Sequence, residues 1–164
     1  MKAKITTAIF LLGLLLLAIV EVILILVFAD TLGLPSLVFG SVNAILGLFL
    51  VSFGSAFILW SVFTLFSKGI GTPAPIIATK KLVVTGPYAY TRNPMTLGSA
   101  VLYLGISIWY GSLAVFILVI LIFAALLSYI DNYETEELSD RFGVDYQDYK
   151  QKTSFLLPSL HQRG

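Results

Sequence analysis

Charge is missing from three long stretches of this 164-residue chain, and that absence restricts its fold more than any other feature. Ile5 to Ala29 carries one charge, Glu21, while Thr31 to Ser67 and Met95 to Ile130 carry none. A helix needs about 20 apolar residues to cross the ~30 Å hydrocarbon layer of a bilayer. The first stretch supplies one span. The second reads as a single helix from roughly Pro35 to Phe66. At 1.5 Å per residue it is about 46 Å long, so it tilts or projects from the bilayer. The third is too long for one span and breaks at Trp109-Tyr110-Gly111-Ser112, where aromatic residues and a glycine turn suit the membrane interface. The expectation is an all-α polytopic membrane bundle in one domain, 1–164, with about four transmembrane helices at 5–29, 36–66, 94–109 and 112–131.

Composition agrees. The chain is 58% hydrophobic and 12% charged, against about 25% charged for a soluble domain. Ten Lys and Arg against nine Asp and Glu leave a net charge of +1, which excludes a polybasic nucleic-acid binder. There is no cysteine, hence no disulfide framework and no thiolate nucleophile. The single histidine, His161, lies in the terminal tail, and no metal site is expected. The apolar region after Met1-Lys2-Ala3-Lys4 is far longer than a signal-peptide core, so it reads as a retained helix. With four spans, all ten basic residues fall on one side. The positive-inside rule makes that side cytoplasmic, with both termini there.

Two hydrophilic pieces then share the cytoplasmic face, 67–93 and 131–160. In the first, Lys81 to Thr85 reads as a strand or extended segment, Gly86-Pro87 as a turn, and Asn93-Pro94 as a capped helix start. A helix N-terminus beside Arg92 favours a carboxylate or phosphate. In the second, Ile130, Glu134, Leu138 and Phe142 share a face by i, i+4 spacing, and Gly143 marks a helix stop. Glu136, Glu137, Asp140 and Arg141 read as a solvated face, with Glu137–Arg141 the attractive pair. Elsewhere, Gly40, Gly47 and Gly54 form a small-residue stripe for helix packing, and Gly98 and Gly105 read the same way. Glu21, an acid inside a span, faces a substrate cavity, pairs with a polar group such as Asn43, or sits near the interface.

The stretch Leu82-Val83-Val84-Thr85-Gly86-Pro87-Tyr88-Ala89-Tyr90-Thr91-Arg92-Asn93-Pro94-Met95-Thr96 resembles a motif of the integral-membrane methyltransferases. That family includes isoprenylcysteine carboxyl methyltransferases and prokaryotic phospholipid-methyltransferase-like proteins. Glu134 to Tyr149, followed by Leu157-Pro158, resembles its second motif, and the Gly71-Thr72-Pro73-Ala74-Pro75 run is similar to prokaryotic members. The resemblance covers about residues 68–158. It implies a methyltransferase that uses S-adenosylmethionine, with a cofactor pocket formed on the cytoplasmic side by the loop and the C-terminal helices. By the same resemblance, Lys80, Lys81, Leu82 and Val83 contact the cofactor, largely through backbone. Gly86, Tyr88, Asn93, Pro94, Met95 and Thr96 line its pocket, and Glu134 binds it. Arg92 suits the cofactor carboxylate; Arg92, Asn93 and Glu134 are the candidate catalytic residues.

The chain departs from the pattern in four places. Asn93 replaces a histidine, Thr96 a tyrosine and Thr135 a second glutamate. Ile130 stands where the isoprenylcysteine enzymes resemble one another in an arginine suited to the substrate carboxylate. The expected acceptor is therefore a lipid-like or amphiphilic molecule, with an amine favoured over a carboxylate. Glu21, Ile130 and Tyr133 are its candidate contacts, and Tyr133, Asp131 or Glu134 the candidates to take an amine proton. The alternatives are a membrane reductase of related fold that binds NADPH, and a non-catalytic membrane scaffold.

Overall fold

The computed structural model describes residues 40–69 and 81–157, and before them the isolated positions Ile23, Val27, Thr31, Gly33, Pro35 and Ser36. At Tyr133 and Glu134 it describes the backbone alone. The first expected span apart from Ile23 and Val27, with Glu21 in it, lies outside these residues, as do Lys80 and His161.

Among the described residues the fold is all-helical. Helix α1 is Ser41–Lys68, α2 Pro94–Tyr110, α3 Leu113–Tyr129 and α4 Thr135–Lys152. A short 3-10 turn, Gly86–Ala89, precedes α2, and a π turn, Ile130–Glu134, joins α3 to α4. The α1 helix starts later than the sequence suggests. Gly40 takes a φ of 62°, a left-handed conformation that no regular helix continues through, and Ser36 instead forms an antiparallel bridge with Ser112. Gly40 therefore ends the approach to the helix and takes no part in the packing stripe; no atom lies within 4 Å of where its Cβ would stand.

The rest of the stripe is a close helix–helix seam. A Cβ on Gly47 would lie 2.6 Å from Trp109 Cβ, and one on Gly54 would lie 2.6 Å from Leu102 N and 2.7 Å from the Gly98 carbonyl oxygen. From the other side, Gly98 faces Ile58 and Gly54, and Gly105 faces Leu50 and Val51. Early α1 thus meets late α2, so the helices run antiparallel. Asn43 reinforces the seam at one end, its Nδ2 donating to the Ile108 carbonyl at 3.0 Å. Small residues suit a membrane, where close backbone approach and dispersion replace the hydrophobic effect between helices.

The expected break at Trp109 to Ser112 is a Schellman turn. Gly111 sits at φ 71°, its N–H donates to the Ile108 carbonyl, and the Ser112 N–H reaches the Ser107 carbonyl. The Ser112 hydroxyl then caps α3 by accepting from Val115 N at 3.3 Å. Tight reversal lays α3 back along α2, where Ala114, Val115 and Val119 pack with Tyr103, Leu104 and Phe123.

Two helical stretches, Ser41–Lys68 and Leu113–Asn132, are long and apolar enough to cross a membrane. Only 17% and 22% of their most apolar portions are buried within the protein. A core helix of a soluble protein would be mostly covered. Here Ile45, Phe49, Phe63 and Leu121 present 60 to 70% of their surface outward, which fits a helical membrane protein. Helix α2 has 17 residues, about 26 Å of rise.

Two further local expectations change. Of the two readings of Lys81 to Thr85 the strand falls, since isolated bridges are the only strand pairings among the described residues, while Thr85 is extended. The regular i, i+4 step from Ile130 to Glu134 is interrupted by the π turn, in which the Thr135 N–H reaches back to the Ile130 carbonyl. Ile130 and Thr135, five residues apart, are both buried. Gly143 does interrupt the helix, at φ 54° and ψ −126°, but helical structure resumes and runs to Lys152. The acidic run is exposed as expected, with Arg141 Nη1 3.4 Å from Glu137 Oε1.

Candidate active site

Because α1 and α2 run antiparallel and α3 folds back on α2, the end of α1, the start of α2 and the exit of α3 lie at one end of the bundle. The loop and the tail meet there. Lys68 Nζ donates to Thr85 Oγ1 at 2.9 Å, anchoring the loop to the end of α1. Gly86 then turns with φ 64°, its Cα against the Thr64 side chain, and Pro87 opens the 3-10 turn that buries Pro87 and Tyr88. The extended backbone at Thr85 and the positive φ at Gly86 aim the next residues under the helices.

The tail closes on this loop as a strap. Thr91 and Ser154 form a parallel bridge, and the Arg92 N–H donates to the Ser154 carbonyl at 2.9 Å. The fully buried Thr91 hydroxyl accepts from the Asn93 N–H and donates to the Phe155 carbonyl, both at 3.2 Å. Asn93 occupies the N-cap position of α2 but does not cap it with its side chain. Its Nδ2 donates to the Phe155 carbonyl at 2.9 Å instead. The capping expectation fails because the side-chain amide is held by the tail's Phe155 carbonyl, which accepts from both Thr91 and Asn93. What Asn93 keeps for a ligand is its side-chain oxygen, since its backbone N–H bonds Thr91 and its carbonyl accepts from the Leu97 N–H.

Further back on the tail, Tyr146 and Tyr149 are both buried on α4. The Tyr149 hydroxyl donates to the Tyr88 carbonyl at 2.7 Å, a tie between segments 61 residues apart. Arg92 Nη1 donates to the Tyr146 hydroxyl at 3.4 Å, and its guanidinium lies 5.4 Å from the centre of the Phe155 ring. Arg92 has no carboxylate partner among the described residues, where the one ion pair is Glu137–Arg141. Its Nε is buried without a hydrogen-bond partner.

The sequence-derived candidates thus fall into groups. Val83, Tyr88 and Pro94 are buried, while Leu82, Gly86, Arg92, Asn93, Met95 and Thr96 are half-buried around them. Lys81 is exposed, and its backbone N–H donates to the Gly69 carbonyl at 3.3 Å. Ile130 is buried at the start of the π turn, which carries Tyr133 and Glu134 in its backbone. Among the described residues, no group of three or more His, Cys, Asp or Glu could hold a metal ion. Four contributors carry no role in the sequence reading: Tyr146, Tyr149, Ser154 and Phe155. The Tyr-x-x-Tyr spacing is a visible signal for the first pair, since i, i+3 residues share a helix face. Nothing in the sequence marks Ser154 or Phe155, whose contribution is largely backbone carbonyls.

Burial holds the Tyr149 hydroxyl well above the ordinary phenol range; Tyr88 nearby adds to this and Arg92 opposes it. The raised folded-state pKa means the tie is fully present below the unfolded value, about pH 10, and is lost as pH rises through the folded value. Stability from this bond is therefore flat between about pH 6 and 9 and falls above about pH 10. Tyr149→Phe leaves the Tyr88 carbonyl without its donor and costs about 1–3 kcal/mol. Denaturation midpoints across pH check both points: the variant is less stable at neutral pH, and the alkaline decline shrinks in it.

No individual curated protein matches the chain. The region that a model of the phospholipid methyltransferase family matches is residues 42–145, more than half the chain. It begins with the glycine-seamed α1, runs through the Arg92–Asn93–Pro94 turn and ends beside Tyr146 on the strap, and by this match the chain belongs to the phospholipid methyltransferase family.

Proposed function

We propose that the protein transfers a methyl group from S-adenosylmethionine to a nucleophile on a membrane lipid, at the end of the bundle where loop and tail meet. Family membership supports a membrane methyltransferase acting on lipid. The observation that carries the choice of donor is Arg92. It is a cation at a helix N-terminus, held by the tail, with no carboxylate partner among the described residues. A half-buried guanidinium whose buried Nε has no partner is costly. The methionine carboxylate of the donor is a fitting partner, helped by the free N–H groups and dipole of the α2 N-terminus.

The remaining roles follow from chemistry. When bound, the donor supplies an electrophilic sulfonium methyl for in-line displacement. Such transfer needs alignment and water exclusion more than a strong base. The backbone from Lys80 to Val83, with Gly86, Tyr88, Pro94, Met95 and Thr96, would enclose the nucleoside. Glu134 would accept from the ribose hydroxyls or the ammonium. The loop and the Thr153–Phe155 strap would exclude water.

The acceptor reaches the site from the bilayer. Ile130 is buried and apolar, so it offers nothing to hold a carboxylate. With Arg92 assigned to the donor, an amine or other neutral lipid nucleophile is the better acceptor. Its proton would pass to Asp131, Tyr133 or Glu134. This placement also makes the loop-and-tail face cytoplasmic in a multi-pass protein with both termini on that side.

The test is transfer of labelled methyl from S-adenosylmethionine into a lipid extract by the detergent-purified protein. Label stable to mild base in an amine-bearing lipid is expected. Base-labile label, a methyl ester, would overturn the acceptor assignment, and no transfer by well-folded protein to any lipid class would overturn the activity.

A further inference from the structure

Arg92 is gripped from three directions by one stretch of the tail. Its backbone N–H bonds the Ser154 carbonyl, its guanidinium lies over the Phe155 ring, and its Nη1 donates to the Tyr146 hydroxyl. Tyr146 is 2% exposed, so its hydroxyl is withdrawn from water. Its ring stays in place by packing on Tyr149, with ring centres 6.2 Å apart. An arginine has a long rotatable stem and a planar fork of donors, and it binds a carboxylate well only when that plane is aimed beforehand. With Nη1 turned to Tyr146, the other edge of the fork carries Nε, which is buried and has no hydrogen-bond partner.

We propose that Tyr146 is a positioning residue for ligand binding: by accepting from Arg92 Nη1, with the Phe155 ring beneath, it fixes the guanidinium so that its other edge meets the ligand's carboxylate. This rests on the donor assignment above. Tyr146 touches no ligand itself. Its effect is confined to the part of the ligand that Arg92 contacts, whereas a merely structural residue would disturb every part.

The experiment compares two nucleosides on the full-length, detergent-purified chain by calorimetry. S-adenosylhomocysteine carries the amino-acid carboxylate, and 5′-methylthioadenosine lacks it. Tyr146→Phe keeps the ring and removes only the hydroxyl. It should weaken S-adenosylhomocysteine by about 3–10-fold, the range for the net contribution of one ordinary hydrogen bond, here acting through Arg92. It should change methylthioadenosine by less than about 2-fold. Phe155→Leu, which removes the ring under the guanidinium, should give the same ligand-selective loss. It serves as the second variant if Tyr146→Phe is poorly folded. Equal weakening of both ligands, or of neither, would overturn the positioning role while leaving the donor assignment intact. If neither nucleoside binds the unsubstituted protein, the donor assignment falls and this role with it.

Discussion

Gly54→Leu prevents α1 from seating on α2 and leaves the protein misassembled in detergent. Any side chain at this position meets backbone: its Cβ would stand 2.6 Å from Leu102 N, 2.7 Å from the Gly98 carbonyl oxygen and 2.9 Å from Leu102 Cα. Flexible side chains can move aside, but two helix backbones can only separate. Separation would also open the neighbouring contacts of Gly98 with Ile58 and of Gly105 with Leu50. Overpacking a close-fitted site costs about 1–3 kcal/mol for small additions, and a leucine adds several heavy atoms. Ala56→Leu, an exposed position on the same helix, is the control. Thermal melts and size-exclusion profiles of the purified proteins should show early aggregation for Gly54→Leu and native behaviour for Ala56→Leu. A Gly54→Leu protein as stable as the parent would mean that the helices are not this close.

Glu134→Gln is expected to reduce affinity for S-adenosylhomocysteine by about 10–100-fold, because charge-assisted hydrogen bonds contribute about 1.5–3 kcal/mol each. The substitution keeps size and shape and removes charge, so the helix should be undisturbed. Glu136→Gln, at an exposed position two residues on, is the matched control and should leave affinity unchanged. Equal affinities for parent and Glu134→Gln would remove Glu134 from the proposed site. The position is at the last residue of the π turn. Such turns insert a residue into a helix and re-aim the side chains beyond it, and they recur at functional sites.

The membrane-spanning character and the helix breaks are legible from the sequence because they depend on local chemistry. Charge-free length marks a spanning helix, and a glycine such as Gly111 suits the left-handed turn that ends one. Pairing of Gly47 and Gly54 with Gly98 and Gly105 is half legible: the seven-residue spacing announces a seam, while the partner and the antiparallel sense are long-range facts. Gly40 shares the spacing without sharing the role, since periodicity does not distinguish a packing glycine from one that starts a helix. The π turn is hidden because a helical pattern is read at a constant period, and one added residue shifts every face beyond it. Asn93 is the instructive case at the candidate site. Asn before Pro is a sound cap signal, yet the tail's Phe155 carbonyl takes the side chain. A strap held by backbone carbonyls leaves almost no trace in side-chain identity, so Ser154 and Phe155 could be found only in three dimensions.

Calorimetric titration of the detergent-purified, monodisperse chain with S-adenosylhomocysteine, with NADPH in parallel, bears most directly on the proposed activity. A methyltransferase built around Arg92 and Glu134 binds S-adenosylhomocysteine saturably and gives no heat of binding with NADPH. Saturable NADPH binding with none for S-adenosylhomocysteine would contradict it.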